Sequence, residues 1–127
     1  MNLEKVIFGA FVILSCTLNF GFFIGDITDP AQHHSFELGA TIVVNLIAMT
    51  LKFGDRTHIG AVHLATSLVA DLQLIAAALV WAWAVHLSGD GLTGPVMASV
   101  VSLSGGALLA NLISVVLLIT ETATMRR

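Results

Sequence analysis

The chain has 127 residues, 57% hydrophobic and only 10% charged, with a formal net charge of −3 and a mean hydropathy of +0.95. Soluble domains average about 45–50% apolar and about 25% charged residues. So few charges cannot cover so much apolar surface in water, and there is no basic surface for nucleic acid. The composition is that of an integral membrane protein whose main partner is the lipid bilayer.

Four apolar runs, 5–25, 36–53, 60–87 and 95–119, suit a bilayer core of about 30 Å, which needs roughly 20 helical residues. They are continuous and lack the period-two alternation of barrel strands, so helices are expected. The predicted fold is all-α and polytopic, one domain over 1–127. Its transmembrane helices cover about 5–25, 30–53, 60–87 and 95–121, arranged as two antiparallel hairpins.

In the first element, Cys16 is the only cysteine, so no intramolecular disulfide forms. "VILSC" loosely resembles a lipoprotein cleavage site. The weakly basic "MNLEK", Leu14 and the apolar residues beyond Cys16 favour an uncleaved first span. At its outer end "LNFGFFIGD" holds Asn19 and a Gly21/Gly25 pair, a packing notch without the threonine and tyrosine of a potassium filter.

The second helix is expected to start at an Asp29 N-cap with Pro30 in its first turn and Gln32 completing a capping box. His33 and His34 are then exposed residues of an opening turn. Neighbouring helical side chains diverge by about 100° and chelate one metal poorly, so no metal site is assigned. Gly54 suits the helix stop and Thr57 the cap of helix three.

The third helix carries the main polar signal. Asp71 lies about eleven residues in, roughly 17 Å along the axis, near the bilayer midplane. An ionised Asp there costs about 2.5–3.5 kcal/mol on insertion scales and faces a bundle interior or a watery cavity. His63, Ser67 and Asp71 share one face at spacings of four, and Asn45 and Asn111 fall at similar depth on helices two and four. An acid with two amides and a hydroxyl resembles a cation or proton site. The competing reading is a buried acid that pairs with a neighbouring helix and transports nothing. Gln73 points elsewhere, toward a neighbouring subunit, and Trp81 and Trp83 read as interface anchors.

On helix four, Ala98, Ser102, Gly106, Ala110 and Ser114 recur every four residues. Small residues let helix backbones approach in lipid. Packing within the four-helix unit is the first expectation and a subunit interface the second. "IVVNLIAMTL" and "LLANLISVVL" align on Asn45 and Asn111, a hint of duplication.

The basic residues are Lys5, Lys52, Arg56, Arg126 and Arg127. The connections "DITDPAQHHSFE" and "SGDGLTGP" carry none, so both termini and the central turn are expected in the cytoplasm. Signatures of an enzyme are missing, and neither catalytic residue nor cofactor is assigned.

The phrases "LNFGFFIGD", "VVNLIAMTLKFGDRTHIGA" and "ATSLVADLQLIAAALVWAW" resemble a family of small bacterial inner-membrane proteins known as a domain of unknown function. The resemblance covers about the first 85 residues. It implies an inner-membrane location and an association with potassium channels, but no activity. The leading expectation is a small homo-oligomeric protein that forms or lines an ion or proton pathway through Asp71, Ser67, His63, Asn45 and Asn111. The alternative is a non-conducting accessory or assembly subunit that packs on a larger cation channel or transporter through helix four.

Overall fold

Long apolar runs in lipid must satisfy their backbone groups internally, and the helix does so within one segment. The computed structural model describes residues 3–125 and contains α1 (Leu3–Phe23), α2 (Ser35–Lys52), α3 (His58–His86) and α4 (Gly94–Met125), with no strand among the described residues. Arg126 and Arg127 lie outside the described residues. All four helices are long and apolar enough to cross a membrane.

Buried positions alternate at spacings of three and four. α3 buries Gly60, His63, Ser67, Ala70, Leu74 and Ala77, and α1 buries Phe8, Val12, Ser15, Asn19 and Phe22. Such a seam keeps one stripe of each helix turned toward its neighbours. The other faces expose large apolar residues, among them Leu79, Leu109, Val116 and Ile119. This outward apolar surface suits lipid and would be a liability in water.

The helices close into a ring: α1 packs on α2 and α4, and α3 packs on α2 and α4. Gly9 near the start of α1 faces Leu118 late in α4, whereas Gly105 faces Phe23 at the end of α1. Likewise Thr66 meets Ser114 and Gln73 meets Gly106. In both pairs the contacts run in opposite order along the two helices.

The helix ends explain one difference from the sequence reading. α2 begins at Ser35, not at residue 30. Asp29 does act as a cap, accepting from Ala31 N, but over a separate 3-10 turn, Pro30–Gln32. His33 and His34 are extended and break the helix. Gln32 forms no capping box with the backbone N–H of Asp29; its Nε2 donates to Asp29 Oδ2 and its Oε1 accepts from Asp26 N.

The short turn between α2 and α3 follows expectation more closely. Gly54 takes a φ of +91°, and Thr57 caps α3 by accepting from Gly60 N. Asp55 ties the turn together, accepting from the backbone N and hydroxyl of Thr57 and from Lys52 Nζ. The Thr57 hydroxyl and N–H, then the Lys52 ammonium, hold Asp55 at about 2, well below the usual carboxylate range. Gly60 packs directly on that carboxylate and leaves no room for a Cβ.

Candidate functional site

The bundle interior is divided. Toward the Phe22 end of α1 it is apolar, filled by Phe22, Leu38, Leu74, Met97, Val100 and Val101. Toward the other end Phe8, Val12 and Ala48 form a smaller cluster. Polar side chains that sit on the same inward seams form a band inside the bundle.

Each helix contributes a pair to that band, about one turn apart. The pairs are Ser15 and Asn19, Thr41 and Asn45, Ser67 and Asp71, and Asn111 and Ser114, and all eight residues are at most 5% exposed. Buried polar groups in such a setting are costly unless bonded.

Most find partners nearby. Ser15 donates to Phe11 O at 2.8 Å, Thr41 to Glu37 O at 2.7 Å, and Asn45 Nδ2 to Thr41 O at 3.0 Å. Between helices, Thr66 Oγ1 and Ser114 Oγ lie 2.6 Å apart. With its amide nitrogen turned to the acceptor, Asn19 donates to Ser104 O at 3.0 Å. Its oxygen then accepts from Leu108 N at 3.0 Å and Asn111 Nδ2 at 3.1 Å. One α1 amide thus addresses a carbonyl and an N–H of the same turn of α4.

Asp71 finds no such partner. It is 2% exposed, and neither carboxylate oxygen has a hydrogen-bond partner. The expected bonds to Asn45 and Asn111 are not formed, because Asn45 turns to its own helix and Asn111 to Asn19. The shared face of His63, Ser67 and Asp71 is present and wholly interior.

His63, at the start of that face, is fully buried, with no hydrogen bond at either ring nitrogen. Phe8 meets it edge-on at 5.1 Å, and Glu121 Oε1 approaches Nε2 to 3.9 Å. Lys5 reaches Glu121 Oε2 at 3.8 Å, and Lys52 Nζ lies 4.3 Å above the Phe8 ring. Three helices therefore bring ionisable groups to one end of the file: Lys5 from α1, Lys52 from α2 and Glu121 from α4.

The small-residue face of helix four is used mostly inside the chain. Ala110 and Ser114 are buried and Gly106 carries the Gln73 amide, whereas Ser102 is exposed and Ala98 half-buried. Gln73 therefore packs on α4 rather than pointing away from the unit; a Cβ on Gly106 would come within 2.7 Å of its Oε1. Trp81 also turns inward, against Phe22 at 6.2 Å, while Trp83 stays exposed.

Sequence reasoning missed two polar centres. Asn19 had a visible signal, since it falls on the apolar seam of α1, but its partner on α4 lies 92 positions away by sequence number. His33, expected in solvent, is 2% exposed, with Nδ1 2.6 Å from Phe22 O and Nε2 2.8 Å from Asp26 O. No group of three or more His, Cys, Asp or Glu side chains suited to a metal occurs among the described residues.

Four apolar helices with a buried polar seam define a multi-pass helical membrane protein. The model of a family of unknown function, DUF6394, matches residues 32–122, and the chain belongs to that family. The match covers α2, α3 and α4 as far as residue 122, and leaves out α1 and the phrase "LNFGFFIGD". Neither curated proteins nor solved structures give a match.

Proposed function

We propose that the protein forms or lines an ion or proton pathway centred on Asp71, in a homo-oligomer of the bacterial inner membrane. The observation that carries this reading is the Asp71 carboxylate, buried with both oxygens unbonded inside a band to which every helix adds polar side chains. Leaving a buried acceptor unbonded costs about 1–3 kcal/mol, so a carboxylate kept this way needs a role outside packing. A proton is the simplest occupant, because it neutralises the acid without demanding a shell of oxygen ligands. His63 and Ser67 give it a route from the end where Lys5, Lys52 and Glu121 gather. That end is the cytoplasmic one on the positive-inside rule, with the start of α1 and the last turns of α4 beside it. No catalytic role is assigned to any residue.

A second reading is favoured by the apolar filling between Asp71 and the Phe22 end, which interrupts the polar file. It makes the chain a non-conducting accessory subunit of a larger cation channel or transporter, with potassium as the first cation to test. Proton and potassium fluxes from purified protein in liposomes separate the two. The pathway reading expects a flux that Asp71→Asn abolishes while the fold persists. Equal fluxes from wild type and variant would leave the accessory reading in its place.

A further inference from the structure

The sequence places a helix start at Asp29–Pro30, yet α2 starts five residues later, and His33 sits at the break. Its ring is buried between two backbone carbonyls, Phe22 O at 2.6 Å from Nδ1 and Asp26 O at 2.8 Å from Nε2. A carbonyl only accepts. A neutral imidazole has one N–H and one bare nitrogen, so it can bond one carbonyl and must set a lone pair against the other; an imidazolium donates to both.

The local wiring shows why these carbonyls are available. In a continued α1 helix, Asp26 N would donate to Phe22 O. Instead Asp26 N donates to Gln32 Oε1 at 2.8 Å, and His33 takes the place at Phe22 O. Gln32 and His33 thus hold the two ends of one unmade helical bond, and His33 also holds the carbonyl of Asp26. Gly25 permits this, with a φ of +112° and a hydrogen where a Cβ would meet Gln32 Oε1 at 2.7 Å. A cation beside the last carbonyls of α1 is also favoured by the helix dipole.

We propose that His33 is a proton-operated clamp: its imidazolium holds the 24–34 segment on the end of α1 and keeps the 3-10 turn separate from α2. When the ring loses a proton, one of the two bonds is lost. The turn capped by Asp29 then joins α2 as a continuous helix from Pro30. The other ionisable groups around the clamp are Asp26 and Asp29 in the segment, and His34 and Glu37 at the start of α2. The last turn of α1, Phe20–Phe23, has none. Asp26 is occupied by the backbone N–H and hydroxyl of Thr28, and Glu37 packs on Gly21. The sign follows by linkage: the clamped form binds the extra proton, so it dominates at low pH and yields as pH rises. Phe22, whose ring lies 5.6 Å from His33 and 6.2 Å from Trp81, connects the clamp to the apolar core.

Nitrogen-15 and carbon-13 NMR of the full chain in nanodiscs tests this without any variant. Both His33 ring nitrogens should carry protons while the Cα shifts of His33 and His34 are extended. Those shifts should turn helical over the same pH interval in which the ring loses one proton. His33→Gln should give helical shifts at every pH, and His34→Gln should titrate as wild type does. A ring with a single proton in the broken form overturns the proposal, as do extended shifts that persist after proton loss.

Discussion

A carboxylate buried without a partner, an amide bonded three times to one neighbouring helix and a histidine between two carbonyls are different physical situations, and substitution should separate them. Asn19 satisfies Ser104 O, Leu108 N and Asn111 Nδ2 at once. Asn19→Leu should therefore lower stability by about 1–2 kcal/mol, in the range for interhelical hydrogen bonds in membranes, read as a lower detergent melting temperature. Asp71 bonds neither Asn45 nor Asn111, so its removal strands no partner. Asp71→Asn and Asp71→Leu should both melt at or above the wild-type temperature while losing flux. A marked drop in either would show that Asp71 holds the fold together. The shared interior face of His63, Ser67 and Asp71 was legible because their spacing is local. That Asn111 is committed to Asn19 was not, since which amide meets which depends on how α1 packs on α4.

At the scale of the elements, the helices themselves were legible, because about 20 apolar residues in lipid leave few alternatives to a helix. The cap at Thr57 and the stop at Gly54 were legible for the same reason, being written in neighbouring residues. The start of α2 was not, because two long-range bonds from His33 override the local signal of Asp29 and Pro30. The small-residue face of α4 was visible as a pattern, but only packing shows that α3 meets it at Gly106 and Ser114. Gly106→Leu should accordingly damage the single chain by displacing Gln73, at a cost of about 1–3 kcal/mol for overpacking. The measurement is folded yield and melting temperature at dilutions where any oligomer has dissociated; an effect seen only in the oligomer would contradict the intrachain contact. Gly60→Ala should likewise disturb the α2–α3 turn, because a Cβ there collides with the Asp55 carboxylate.

For the whole molecule, polar and apolar parts are distributed unequally along the bundle. One end collects Lys5, Lys52, Glu121 and Asp55 around the buried His63, and the polar band reaches inward from there. The other half is closed by Phe22, Leu74, Met97 and Val101. On the pathway reading proposed above, the central acid is reached from one side of the membrane, and passage to the other side needs a rearrangement of the apolar half or a second copy. Reporter fusions after residue 127 and within "GDGLTG" should report opposite sides, with the former cytoplasmic; a shared side would break the four-span scheme, and a periplasmic C-terminus would overturn the proposed orientation. On the pathway reading, Asp71 exchanges a proton from within the bundle. Isotope-edited infrared spectroscopy of the protein in lipid reads that carboxyl directly. The account expects a protonated-carboxyl band, absent from Asp71→Asn, that appears and disappears reversibly with pH and shifts in heavy water. A band that never changes with pH, or none assignable to Asp71 at any pH, would contradict it.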